Sequence, residues 1–297
     1  APPIGKRRAT NGRRTADPPD GVPPLFQQRQ NRTMLQAGFT TLALIYHQTV
    51  YNLRTEHRNA AVGILLAVLQ QTLMILVFVT IYSMIGIKSA PLRGDFLLYI
   101  MSGIFIFMVH VQTVGAVAGS HSISSGIIKH EPLNAAVLIS GAAMAALYRQ
   151  VISLLVLLGA YHVLFTPITI EHPVGAGALF MLAWFSGCCV GLVLLGIRPW
   201  SPSACKVVTN LYQRVNMIAS GKFFLANTMP NFLLVWFDWN PLFHLIDQER
   251  GFMFINYTPH KTSLYYPLWV SIACLMVGLL INFTTRKYES ISWSATQ

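Results

Sequence analysis

The chain has 297 residues, 54% of them hydrophobic and only 10% charged, whereas a soluble domain carries about 25% charged residues. That composition excludes an ordinary soluble enzyme, and a mean hydropathy of +0.51 excludes disorder for most of the chain, since disorder needs low hydrophobicity and high net charge. The formal net charge is +11, but beyond the first 33 residues the cations are scattered singly between apolar runs, which argues against a nucleic-acid partner.

Residues 1–33 hold seven of the 21 Lys and Arg, namely Lys6, Arg7, Arg8, Arg13, Arg14, Arg29 and Arg32, among Pro, Asn, Gln and Thr with almost nothing to bury. The expectation is a disordered, cytoplasmic basic tail near anionic lipid, since no apolar run follows the arginine pairs closely enough for an export signal. Residues 34–58 interleave Leu35, Phe39, Leu42, Ile45 and Leu53 with Gln, Thr, His and Asn. They are too polar to span and suit an interfacial amphipathic helix. A transmembrane domain of six helices is expected over 59–288, because spans need about 20 mostly apolar residues. The candidate spans are 60–85, 96–118, 142–165, 174–197, an unusually polar 206–225, and 267–283. The start of the third stays open: begun at Ala142 it buries Arg149 as a functional residue of path or interface, and begun at Gln150 it leaves Arg149 as an interfacial anchor. Between the last two spans, 226–265 is too polar to cross and too apolar for a free loop, so an outer re-entrant or interfacial hairpin is expected. Residues 289–297 are read as a cytoplasmic C-terminal tail.

Loop charge sets the orientation. With the N-terminus inside, the inner segments carry fourteen basic residues and the outer segments four, Lys88, Arg93, Arg250 and Lys261. Both termini are therefore expected in the cytoplasm.

Little here suggests bond-making chemistry. Gly5-Lys6 and Gly221-Lys222 lack the other residues of a phosphate-binding loop, so any ATP is bound by another chain. The nine histidines and four cysteines show no metal-ligand spacing. His244 and Asp247 share a helix face without a nucleophile. The fifth span is the informative one: Thr209, Gln213, Asn216 and Ser220 fall on one helical line, with Asn210 and Arg214 beside it. A polar stripe in a membrane helix faces protein or a water-filled path, so it either lines a translocation path or packs against neighbouring helices for structure alone.

Several strings carry a resemblance. Leu53-Arg-Thr-Glu-His-Arg58 with Gly63, Tyr99-Ile-Met-Ser-Gly-Ile104, and above all Ser220-Gly-Lys-Phe-Phe224, Pro230, Asn240-Pro-Leu-Phe-His-Leu-Ile-Asp247 and Arg250 resemble, in order and approximate spacing, the membrane subunit of type-2 ABC exporters, in particular polysaccharide-export permeases for capsule or O-antigen. Loop 198–205 and Lys222 depart from that family's usual pattern. The resemblance implies a non-enzymatic half-transporter of the bacterial inner membrane, working as a homodimer among membrane lipids. It moves a polysaccharide or lipid-linked glycan, and ATP is hydrolysed by a separate ATPase subunit. It implies that the loop with Ile127, Ile128, Lys129, His130 and Glu131 docks on that ATPase, and that Phe223, Phe224, Pro230, Trp239, Asn240, Pro241, His244, Asp247 and Arg250 belong to the outer hairpin. Two other functions stay open: a type-2 permease for another lipid, polymer or drug, and a non-transporting membrane scaffold that kept the fold.

Overall fold

A computed structural model describes residues 34–55, 60–86, 95–123, 135–255 and 257–294. The chain divides into two units, 1–39 and 40–297. Of the first, only the opening of helix α1 (Met34–Thr55) is described. All other elements belong to the second unit: α2 (Ala60–Ile85), α3 (Phe96–Ile123), α4 (Ala135–Leu164), α5 (Pro173–Leu195), α6 (Pro202–Ala219), a 3-10 turn (Ala226–Thr228), α7 (Asn231–Phe237), α8 (Pro241–Met253) and α9 (Tyr265–Ser294). Every regular element among the described residues is helical, as expected where no water is available to backbone polar groups.

Five helices, α2, α3, α4, α5 and α9, are long and apolar enough to cross a membrane. They are not equivalent: the apolar window of α3 is 89% buried, against 22% in α2 and 17% in α9. The second apolar helix is thus the axis of the fold, and α2 and α9 turn most of their side chains outward. α5 closes on α3 through Gly187 and Gly191, where an added Cβ would lie 2.7 Å from the His110 carbonyl oxygen and 2.7 Å from Val117 Cβ. This is the small-residue spacing that lets membrane helices touch backbone to backbone.

Polar side chains inside the apolar helices bond across them. Gln71 of α2 donates to Gln150 of α4, Gln112 of α3 to Gln70 of α2 at 3.2 Å, and Asn282 of α9 to the Leu192 carbonyl of α5 at 2.9 Å. Each bond satisfies a group that hydrocarbon would leave unpaired.

α4 runs unbroken for 30 residues from Ala135, earlier than either start considered from sequence. Arg149 therefore sits halfway along it, half-buried and engaged by neighbours. The small residues that obscured the start, Ala135, Gly141, Ala142, Ala143, Ala145 and Ala146, are buried, which is why that turn needs no large apolar side chains. The polar candidate span is an 18-residue helix ending at Ala219, about 27 Å long, and is not among the five apolar helices.

Candidate functional site

α6 is delimited by local chemistry. Ser201 caps its N-terminus by accepting the Ala204 N–H at 3.2 Å, and Pro202 opens the first turn. The helix stops at Ser220, and the next residue, Gly221, has φ +64°. The ring of Phe243 occupies the place a Cβ would take at Gly221, so two independent constraints call for glycine there.

One side of α6 faces protein. Thr209, Asn216 and Ser220 are buried. Thr209 Oγ1 donates to the Cys205 carbonyl at 2.7 Å, and Gln213 Nε2 donates to the Val111 carbonyl of α3 at 2.9 Å. Asn216 accepts from Asn240 Nδ2 at 2.9 Å, and the same amide nitrogen reaches the Ala219 carbonyl at 2.8 Å. Behind this line lies a group not singled out from sequence, the fully buried His110 of α3. Its Nδ1 is 2.8 Å from Ser186 Oγ of α5 and its Nε2 is 2.8 Å from the Tyr212 hydroxyl of α6. Ser186 spends its proton on the Ala183 carbonyl, so it accepts from Nδ1–H, and Nε2 accepts from Tyr212. Three helices are joined through one imidazole.

The other side of α6 is exposed. Lys206, Asn210 and Arg214 stand four residues apart along it, among exposed Val207, Leu211, Val215 and Ile218. Arg214 makes no hydrogen bond or ion pair among the described residues.

The segment after α6 folds back as a polar knot. α8 is largely buried against the apolar helices, including Asp247, Glu249 and Arg250. Arg250 is 0% exposed. Its two terminal nitrogens donate to the Phe224 carbonyl at 2.7 Å and the Lys222 carbonyl at 2.5 Å, and its guanidinium lies 4.2 Å from the Tyr99 ring centroid. Tyr82 donates to the carbonyl between them, that of Phe223. Three successive carbonyls of the turn after Gly221 are thus satisfied by side chains from elsewhere. Asp247 accepts from Ala226 N–H at 3.2 Å, the Tyr257 hydroxyl at 2.6 Å and Thr262 Oγ1 at 2.8 Å. The Lys222 ammonium sits 3.3 Å from the Phe107 ring centroid, buried and without a hydrogen-bond acceptor among the described residues.

No family model matches the chain. Two Escherichia coli proteins, each described as polysialic acid transport protein KpsM, are 21% identical to it over 241 residues, covering 79% of this chain and 90% of theirs. The chain is a distant homologue of that transport protein.

The last of the strings that carried the resemblance from sequence converges on the knot, with Tyr99 of the second against it. Ser220 to Phe224, Asn240, Asp247 and Arg250 meet around one turn. His244 and Asp247, by contrast, serve different partners. His244 Nδ1 accepts the Ser263 N–H at 3.1 Å, so Nε2 carries the proton and donates to the Asp238 carbonyl at 2.8 Å. Pro230 precedes α7, whose Phe232, Val235 and Trp236 are exposed, as are Trp239 and Phe224. Pro241 opens α8 after the Asn240 cap. Ile127, Ile128, Lys129, His130 and Glu131 lie outside the described residues.

A second polar junction joins α3 to the end of α4. Asp95 accepts from Thr166 and from the Tyr161 hydroxyl. The Thr166 bond first, then the Tyr161 bond, holds the Asp95 carboxyl below the usual carboxylate range.

Proposed function

We propose that this chain is the membrane-spanning half of an ATP-driven exporter of the bacterial inner membrane, carrying a polysaccharide or a lipid-linked glycan. Two copies enclose the path, and each engages a separate ATPase through the loop containing residues 127–131, so the chain itself is a permease and not the ATPase. In this reading α6 is the fifth of six crossings, α1 lies at the membrane interface, and both termini are cytoplasmic. α7 and α8 form the outer hairpin, and the exposed face of α6 lines the path. Arg149 serves the same path or the interface between copies.

The distant homology to KpsM supports the class of function. The observation that carries the path assignment is the exposed face of α6. Lys206, Asn210 and Arg214 project where none of the described residues pairs with them, between helices apolar enough to cross a membrane. A cation facing hydrocarbon costs about 2.5–3.5 kcal/mol at a helix centre, so this face needs a hydrated path or a second copy. Gln213 and Asn216 fix its rotation by bonding on the protein side.

Export by cells carrying Arg214→Leu, with insertion monitored in parallel, tests the reading. Loss of surface glycan with normal insertion is expected. Arg214→Lys retains part of the activity if charge alone is used, and little if two oxygens of one phosphate are gripped. Full export by the Leu variant overturns the path assignment.

A further inference from the structure

A cavity of about 250 Å³ lies between α3, α4, α5 and α8, walled by Phe105 and Ile106, Leu154 and Leu158, Phe180, and Glu249. It is larger than the roughly 150 Å³ apolar cavity that suffices for benzene. It is elongated: its α5 wall runs from Pro173 to Met181, about 12 Å along the helix. It is open to the outside at Gly177 and Met181, both exposed, and these lie on a helix apolar enough to cross a membrane. The medium at that mouth is therefore hydrocarbon rather than water.

One feature is out of keeping with so apolar a wall. Glu249 is 6% exposed, and its Oε2 has no hydrogen-bond partner among the described residues. The neighbouring Arg250 is committed to the carbonyls of Lys222 and Phe224. The other polar side chain of the wall, Ser102, donates to the Tyr99 carbonyl at 2.8 Å. Burial pushes the Glu249 carboxyl well above the usual carboxylate range, which favours its protonated, hydrogen-bond-donating form. α8 meets the start of α5 through the His172 N–H to Phe252 carbonyl bond at 3.0 Å, and Glu249 lies one turn before Phe252. Met253, one turn beyond Glu249, also lines a pocket with Asp95 and Ile168 at that end of the fold, so Glu249 lies about a turn in from the Pro173 end, with the apolar wall continuing past it.

A donor about a turn in from one end, with apolar-lined space beyond it, matches an ester-linked acyl chain. We propose that this cavity is a binding site for one acyl chain of a bilayer phospholipid, with Glu249 donating a hydrogen bond to the chain's ester carbonyl. The bond satisfies a carboxyl oxygen that is otherwise orphaned, and the chain fills space that would leave its lining without contacts. The site stands whether or not the chain exports a polymer.

The test uses the full-length protein in phosphatidylethanolamine–phosphatidylglycerol vesicles doped with a phosphatidylcholine carrying a mid-chain diazirine. The ether-linked analogue, which lacks the carbonyl, is run beside it. Photolabelling by the ester lipid is expected to concentrate on residues 151–158 and 173–181, about fivefold above the exposed face of α2. Gly177→Leu, whose Cβ meets nothing within 4 Å and so blocks the mouth without a clash, should reduce that labelling about fivefold. Gly159→Leu, equally open but outside the cavity, should not. Glu249→Leu should abolish the preference for ester over ether lipid, and Glu249→Gln, still a donor, should keep it. Labelling spread evenly over α2 and α9, an unchanged signal in Gly177→Leu, or a preference that survives in a folded Glu249→Leu protein would each overturn the proposal. If Glu249→Leu does not fold, the Gly177 and Gly159 pair decides.

Discussion

Arg250 and Arg214 carry the same side chain into opposite situations. Arg250 is sealed in the knot, its terminal nitrogens on backbone carbonyls and its plane against Tyr99. Arg214 projects from the exposed side of α6 with no partner among the described residues. Arg250 is an instrument of folding, because removing it leaves buried carbonyls unsatisfied. Arg214 does nothing visible for the folded chain, so its presence in an apolar setting calls for a role outside it. The residues that carried the resemblance are mainly of the first kind: they build the turn that ends α6 and leave the other face of that helix free.

Substitutions ranked by their expected cost to the fold make the contrast measurable. Arg250→Leu should be the most damaging, by roughly 2–6 kcal/mol, since it leaves two buried carbonyls unsatisfied at about 1–3 kcal/mol each. Arg250→Lys should recover little, since an ammonium lacks the planar fork that reaches both carbonyls. Thermal unfolding in detergent with membrane yield would show both; a melting temperature close to wild type for Arg250→Leu would mean that the knot does not hold the fold. Gly221→Ala comes next. A left-handed conformation costs about 1–2 kcal/mol for a residue with a Cβ, and displacement of the Phe243 ring adds to it. Asp247→Asn should cost about 1–2 kcal/mol, because all three accepted bonds lose the charge and one of them loses its acceptor oxygen to an NH2 group. Tyr257→Phe in that background should then cost less than it does alone, which a double-mutant cycle reads directly.

Arg214→Leu belongs at the bottom of this ranking, within about 0.5 kcal/mol, although export should be lost. A melting temperature lowered as far as that of Arg250→Leu would erase the distinction between the two arginines. The Asp95 junction gives the smallest effect and a sign. Its folded value lies below the ordinary one, so its contribution is present above that ordinary value and fades as pH falls through the depressed one. Hydrogen-exchange protection around 161–166, corrected for the intrinsic rate, should therefore fall on acidification in the wild type and show no such acid step in Asp95→Asn.

The apolar helices were legible because length and composition suffice for them: the sequence windows at 60–85, 96–118 and 267–283 fall within helices of the structure, and that at 174–197 overruns α5 by two residues. The line through Thr209, Gln213 and Asn216 was legible from helical period. Which way it faces was not, since a bond to the Val111 carbonyl, 102 residues away, leaves no trace in local pattern. α8 was hardest to read. Asp247, Glu249 and Arg250 look like a solvated face until the carbonyls of 222 and 224 and the N–H of Ala226 are seen opposite them. His110 went unnoticed as one histidine in an apolar run, and its acceptor and donor come from two other helices. Gly187 and Gly191, four apart, were the readable sign of where α3 and α5 touch.

The imidazole of His110 also has a mechanical meaning. Ser186 and Tyr212 grip its two nitrogens from α5 and α6 at 2.8 Å each, and sliding either helix by a single residue would open about 1.5 Å at the bond, enough to break it. A buried donor and acceptor would then be stranded with no water to replace their partner. α3, α5 and α6 therefore behave as one stiff body over any excursion shorter than that step. Any motion that opens a passage along α6 would displace this trio as a unit, like a piston block against its casing.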